Sequence, residues 1–164
     1  MNLVVVLYNL RSAHNVGAIF RTADALQAAK MFLAGTTPVP GQAGKSGREL
    51  AKTALGAENF VFWKQVKAVG VLLKTLKKEG FQLLALEQDK QAQDIRKYRL
   101  PKNKKVALIV GYEIKGIPTR ILRQCDKIIQ IPMFGRKESL NVSVAFGVAG
   151  YFLKLTRASL RNKF

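Results

Sequence analysis

The sequence holds a single cysteine, Cys125, a single histidine, His14, and only ten acidic residues among 164. Each scarcity removes a class of function. One cysteine closes no internal disulfide, so the fold makes no appeal to an oxidising compartment. One histidine, remote from Cys125, leaves no His–Cys–Asp cluster at metal-ligand spacing and argues against a nucleophilic cysteine. Cys125 closes a short helical segment among apolar residues and reads as a small core residue. No apolar stretch approaches the ~20 residues of a spanning helix. The short run Leu3 to Leu7 has neither a basic flank ahead of it nor a cleavage site behind, so a cytoplasmic protein without a membrane span is expected. Also missing are paired carboxylates on one element, a Gly-x-Ser-x-Gly elbow and a Gly-x-Gly-x-x-Gly turn after the first strand. Gly44-Lys45-Ser46 invites a phosphate-loop reading, but the first glycine of that pattern would fall at Val39, and the pattern fails.

What is abundant is positive charge. Twenty-eight Lys and Arg against the ten acids give a formal charge of +18. That favours a polyanionic partner, nucleic acid before membrane, because no basic amphipathic helix stands out. A solvated basic surface is the plainer alternative. The apolar fraction of 48% over 164 residues fits one folded domain, residues 1–164, with a basic tail from about 157 and no separate RNA-binding domain.

Strand and helix patterns alternate along the chain. Leu3 to Tyr8 is β-branched-rich and reads as a buried parallel strand. A helix follows from about Asn15 to Gln27, then a short strand, Met31 to Ala34. A long loop runs from Gly35 to Arg48, its glycines and bases (Lys45, Arg48) suiting a mobile RNA-facing element or an uninvolved surface. A helix from Glu49 to Leu55, an aromatic strand from Asn59 to Trp63 and an amphipathic helix from Val66 to Lys78 come next. Strands are expected at Phe81 to Glu87, Val106 to Val110 and Ile128 to Ile131. The basic run Arg96 to Lys105 is open to two readings, a phosphate track or a solvated connector. A final helix, Val142 to about Arg157, is apolar nearly all round. Its apolar faces suggest a homodimer contact, and Gly147 and Gly150 would admit a close backbone; the tail Lys154, Arg157, Arg161 and Lys163 is expected to fray.

Three polar loops fall at the carboxyl ends of strands, where ligands sit in an open α/β sheet: Asn9–Arg21, Gly111–Gly116 and Phe134–Asn141. Asn15 and Arg21 are six residues apart, about 240° around a helix, and share a site only if Asn15 lies in the loop as a cap. Ser139 and Asn141 open the last helix, whose first N–H groups have no partner within it. Asn15, Arg21, Glu113, Ser139 and Asn141 can bind a neutral or zwitterionic cofactor and place an anionic substrate. That suits group transfer by proximity and orientation, and leaves the group open.

Three stretches together resemble the SpoU/TrmH branch of the SPOUT RNA methyltransferases. They are His14-Asn15-Val16-Gly17-Ala18-Ile19-Phe20-Arg21-Thr22, then Ile109-Val110-Gly111-Tyr112-Glu113-Ile114-Lys115-Gly116-Ile117, then Ile131-Pro132-Met133-x-Gly135-x-x-Glu138-Ser139-Leu140-Asn141-Val142-Ser143. The resemblance implies a single-domain parallel-sheet α/β fold with a deep C-terminal trefoil knot, S-adenosylmethionine as cofactor, and 2′-O-methylation of a ribose in tRNA or rRNA. It implies a homodimer through the first and last helices. It makes Arg21 the catalytic arginine and Asn15 its companion, with Glu113, Ser139 and Asn141 around them. Leu86, Glu87, Gly111, Glu113, Gly116, Ile131, Met133, Ser139 and Leu140 become the cofactor cradle. Arg11, Arg21, Lys45, Arg48 and Arg136 become RNA contacts. Tyr112 departs from the small residue more usual at its position. A non-catalytic RNA-binding protein on the same scaffold, or a base methyltransferase, are the competing readings.

Overall fold

A run of six apolar residues with three adjacent valines has no polar face to offer water, so it belongs where both faces are covered. The computed structural model describes residues 2–100, 105–113 and 115–159 and places this run, β1 (Leu3–Tyr8), inside a parallel sheet with every residue buried. The sheet is completed by β2 (Lys30–Ala34), β3 (Trp63–Val66), β4 (Phe81–Leu86), β5 (Gln93–Asp94), β6 (Lys105–Val110) and β7 (Lys127–Gln130). Among the described residues its order is β3-β2-β1-β6-β4-β7-β5, every pair parallel. Val5 stands between Met31 on one side and Leu108 on the other. Because all strands run the same way, all their carboxyl ends reach one edge, and that edge carries the site.

Alternation along β1 divides the core. Leu3, Val5 and Leu7 share one cluster with Ile19 and Phe20 of α1 (Ala13–Ala25), Leu50 of α2 (Lys45–Ala54), and Phe146 and Leu153 of α5 (Val142–Ser159). Val4, Val6 and Tyr8 share the other with Leu72, Leu73 and Leu76 of α3 (Val69–Lys78) and Ile121 of α4 (Thr119–Leu122). Each such Leu or Phe, fully buried, stabilises the fold by roughly 1.5–3 kcal/mol against exposure. Asp126 fixes the joint before β7. Its carboxylate accepts the Leu83 N–H at 2.8 Å and pairs with Lys77 at 2.9 Å.

Several element boundaries differ from the sequence expectation, each for a local reason. Ser12 caps α1, its hydroxyl accepting the Asn15 N–H at 3.2 Å, so Asn15 lies in the first helical turn rather than in the loop before it. Helix α2 starts at Lys45, not Glu49, and shortens the long loop; Gly47 lies so close to Gln42 that a Cβ there would stand 1.8 Å from the Gln42 carbonyl oxygen. The expected aromatic strand is instead a 3-10 turn at Ala57–Asn59, entered through Leu55 and Gly56 at φ of 50° and 87°. The strand begins only at Trp63. Val66 still pairs with Ala34, which holds off α3 until Val69.

Helix α5 uses its glycines inside the chain. A Cβ at Gly150 would stand 2.4 Å from Leu26, and one at Gly147 would touch Thr22, so both glycines face α1. Lys154 is not frayed: its ammonium donates to the Leu26 carbonyl at 2.5 Å, satisfying an end of α1 and opposing its dipole. Arg161, Lys163, the Arg157 side chain and residues 101–104 of the basic run lie outside the described residues. The rest of that run is mostly engaged: Tyr98 and Leu100 are buried, and Arg96 is paired with Asp94 at 2.6 Å. Cys125 packs against the second cluster, and burial first, with Asp126 next, pushes its thiol up to about 12.

Two outcomes follow from this packing. A Cβ on Gly17 would stand 2.0 Å from the Thr53 hydroxyl oxygen and 2.5 Å from the Leu50 carbonyl. Gly17→Ala is therefore expected to lower the unfolding free energy by about 3 kcal/mol, read by urea denaturation. With its proton held to about 12, Cys125 should be alkylated at pH 8 at least roughly 100-fold faster in urea than in the folded protein, the folded rate climbing as pH rises.

Candidate functional site

The carboxyl edge of the sheet opens into a cavity of about 570 Å³ between the ends of β1, β4, β6 and β7 and the start of α5. That volume lies in the ~300–1,000 Å³ range of small-molecule sites. Leu86, Val110, Ile131, Leu140, Val142 and Ala145 give it apolar walls. Polar groups converge from segments far apart in sequence.

Asn15 joins three of those segments. It is only 8% exposed, because it faces inward from the first turn of α1. Its Nδ2 donates to Glu113 Oε1 at 3.1 Å, and its Oδ1 accepts from Asn141 Nδ2 at 3.2 Å. A carboxylate offers only acceptors, so the amide of Asn15 has one possible orientation, and that orientation sets Asn141. The remaining oxygen of Asn141 then accepts the Ser143 N–H at 2.9 Å and hydroxyl at 2.6 Å, capping α5.

Glu87 is the second tie. Its Oε2 accepts the Ile117 N–H at 2.7 Å and its Oε1 the Gln88 N–H at 3.0 Å. Gly116, at φ 63°, leaves no room for a side chain beside this carboxylate: a Cβ there would stand 2.6 Å from Oε2. Gln88 donates from Nε2 to the Ile131 carbonyl at 2.7 Å. The end of β4 thus holds the loops after both β6 and β7. Tyr112 stiffens the β6 loop by bridging to Gly116, and its hydroxyl accepts from Arg11 at 3.1 Å.

Most of the expected site residues meet here. Asn15, Glu113, Ser139 and Asn141 line the cavity, as do Leu86, Glu87, Gly111, Ile131, Leu140 and Arg11. Gly116 stands behind the wall on Glu87, and Met133 is not part of the lining. Arg21 is exposed on α1 and is not part of the lining either. With Asn15 inside the helix, the 240° between the two residues keeps them apart within one chain. Lys45, Arg48 and Arg136 are exposed, Lys45 within 3.6 Å of Glu49. Tyr112 lies in the Gly111–Gly116 loop expected at the cofactor and does line the cavity, whereas sequence reasoning did not single out the polar lining residues Ser12, Gln88 and Gln130; the Ser-x-x-Asn spacing ahead of α1 was the one signal that could have found Ser12.

These features define an open parallel α/β domain with a cofactor-sized cleft at the carboxyl ends of its strands. The chain belongs to the SpoU rRNA Methylase family, which matches residues 2–151. It is 32% identical over 150 residues to the tRNA (guanosine(18)-2′-O)-methyltransferase of Aquifex aeolicus, covering 92% of this chain and 67% of the relative. The enzyme of the same name from Escherichia coli strain K12 is also 32% identical, with 92% and 62% covered. The chain therefore spans about two thirds of the length of these curated relatives. Among solved structures, the A. aeolicus TrmH/SpoU tRNA modifying enzyme superposes with a TM-score of 0.84 at 29% identity, covering 98% of this chain and 77% of that one. An AdoMet-bound rRNA methyltransferase from Sinorhizobium meliloti gives 0.79 at 26% identity, covering 97% and 57%.

Glu87→Ala should leave the Ile117 amide without its acceptor. Hydrogen exchange at Ile117 and its neighbours is expected to quicken about tenfold or more, with β1 amides unchanged. Asn15→Ala should cost about 2 kcal/mol of stability, since it strands polar partners on both sides.

Proposed function

We propose that this chain is an S-adenosylmethionine-dependent methyltransferase acting on a ribose 2′-hydroxyl of tRNA or rRNA in the cytoplasm. The observation that carries the reading is the cleft itself. Its apolar walls suit an adenosine, and its charged lining groups are two carboxylates, Glu87 and Glu113, and one guanidinium, Arg11. Such a lining fits a sulfonium nucleoside better than a phosphorylated one. Backbone groups of Gly111, Ile131 and Leu140 would hold the base, with Ser139 and Asn141 beside them. When bound, the cofactor supplies an electrophilic methyl group: the O–C bond forms as the S–C bond breaks, and the hydroxyl proton leaves.

A 2′-hydroxyl needs help to lose that proton. Arg21 is a poor base, because a guanidinium holds its proton far above neutral pH. It acts instead as a fixed cation for a substrate phosphate and the developing oxyanion, and that phosphate assists transfer of the hydroxyl proton to solvent. Exposed on α1 and apart from its own cavity, Arg21 serves the cavity of a second copy. Helices α1 and α5 pack side by side through Thr22, Leu26, Gly147 and Gly150. Alongside them Val144, Val148, Tyr151 and Leu155 leave an exposed apolar stripe on α5, at spacings that share a helix face. Burying that stripe in a homodimer would remove its exposure and bring α1 toward the partner.

A C-terminal knot belongs to the same reading. Strand β7 lies between β4 and β5, although β5 precedes it in sequence. The return from β5 carries Ile95, Tyr98 and Leu100 on the face that also holds Phe146 and Leu153 of α5. A last helix passing under that return would thread it.

Incubation with unfractionated tRNA and rRNA and methyl-labelled cofactor should yield 2′-O-methylated nucleosides. A product methylated on a base, or no binding of the cofactor in calorimetric titration, overturns the reading. Arg21→Ala should lower turnover about 100-fold with cofactor affinity within about twofold of wild type, since Arg21 lies outside the cavity lining. Mixed dimers of Arg21→Ala and Glu113→Ala chains should regain activity, because one of their two sites has both residues.

A further inference from the structure

Phe134 is 84% exposed, the most exposed of the large hydrophobic side chains among the described residues. Single exposed apolar side chains are ordinary on protein surfaces, so what distinguishes this ring is its place and its neighbours. It sits in the loop between Ile131 and Ser139, both of which line the cavity, and so stands on the outer rim of the site.

The ring is not loose. The guanidinium carbon of Arg96 lies 5.4 Å from its centre. Arg96 is itself held: its Nε and Nη2 donate to the Asp94 carboxylate at 3.0 and 2.6 Å, and its backbone N–H to the same group at 2.9 Å. Between them Ile95 is buried in the main core, which anchors the pair to the fold. Arg96 holds the Asp94 carboxyl below its ordinary value, so the pair persists throughout the neutral range. Phe134 therefore rests on a fixed cationic plane with its outer face free. Arg99, Arg136 and Lys137 are exposed on the same two segments, with Glu138 the one acid in the loop.

The other exposed aromatics differ. Phe60 and Phe62 are as open, at 77% and 79%, but they precede β3 at the amino ends of the strands, opposite the cavity. Tyr112 is on the cavity's other lip, with its hydroxyl engaged by Arg11. Among the described aromatics, Phe134 combines a rim position and an open face with a guanidinium, that of Arg96, against its ring and further exposed cations on the same two segments. Aromatic rings and guanidinium planes are the surfaces on which unpaired nucleobases stack, and cations alongside take the backbone.

We propose that Phe134, backed by Arg96, is a stacking platform for an unpaired base next to the nucleotide that is modified. The proposal rests on the RNA reading of the site and extends it: the substrate is single-stranded there, a loop or an end rather than a duplex.

The test uses the full chain with a fluorescein-labelled single-stranded 12-nucleotide RNA and its duplex, together with calorimetric titration of S-adenosylmethionine. Phe134→Ala should weaken single-strand binding about tenfold, leave duplex binding within about twofold, and leave cofactor affinity unchanged. Phe134→Trp should restore binding, with its emission quenched by the bound RNA. Arg96→Ala combined with Phe134→Ala should lose less than the sum of the two single losses, as residues of one contact do. Equal RNA affinity of Phe134→Ala and wild type overturns the proposal, as does no single-strand binding by the wild type. A loss of cofactor affinity in Phe134→Ala equal to its loss of RNA affinity overturns it too, by making the ring a support for the loop. Single-strand binding without methyl transfer would sink the enzyme reading and leave the platform standing; methyl transfer with Phe134→Ala unaffected does the reverse.

Discussion

The site depends on one amide. Asn15 is buried between a carboxylate that only accepts and an asparagine that is free to do either, and this order gives the chain of hydrogen bonds a single direction. Glu113 comes from the loop after β6, Asn15 from the first turn of α1, and Asn141 from the entry to α5. Without the amide Asn141 loses its tie to α1, and the β6 loop is left with the bonds from Arg11, its N–H on Glu113 Oε2 at 3.4 Å and its guanidinium on the Tyr112 hydroxyl at 3.1 Å. The parallel sheet delivers the three segments to one edge, but the amide converts that neighbourhood into a fixed geometry.

A second constraint comes from the end of β4. Glu87 spends both carboxylate oxygens on backbone N–H groups, one of them 30 residues away at Ile117. Gln88 adds the Ile131 carbonyl. A side chain that looked like a ligand for a cofactor is thus first a brace for the walls that would hold it. The distinction matters chemically: each oxygen of Glu87 already accepts one amide and has only part of its capacity left for a ligand, while the Ser139 hydroxyl on the cavity lining can both donate and accept.

The elements that composition alone determines were legible in the sequence. Leu3–Tyr8 and Val106–Val110 are strands because they are apolar throughout, and Phe81–Leu86 because its one polar residue, Gln82, is also its one half-buried residue. The inward face of α3, Val69, Leu72, Leu73 and Leu76, follows from its period. Readings failed where backbone conformation outweighed composition: Leu55 and Gly56 turn the chain with positive φ, so the aromatic run after them ends in two exposed phenylalanines rather than a strand. Asn15 was misplaced because Ser12 is the better cap by three residues. The order of the sheet, with β7 seated between β4 and β5, has no local signature at all, since strand pairing is decided by contacts far apart in sequence. The Asn15–Glu113 and Asn15–Asn141 bonds, at separations of 98 and 126 residues, were not foreseen: the strand-end loops and the motif resemblance grouped these residues in one site without saying which of them pair.

Charge is distributed against the chain's overall sign, and this bears on how one site can serve two unlike ligands. A molecule of formal charge +18 places two of its ten acids, Glu87 and Glu113, on the cavity lining with one arginine. Its exposed cations, Arg96, Arg99, Arg136 and Lys137, stand on the rim segments instead. A polyanion is drawn to the rim by the general field and finds no cluster of cations deeper in to pull it further. A compact ligand with a positive centre meets the opposite balance inside. In the dimer proposed above, the same segregation would favour Arg21 outside its own cavity. A guanidinium set among Glu87 and Glu113 would be neutralised by them; on α1 at the mouth of a partner's cavity it would keep its charge for a phosphate and for the developing oxyanion.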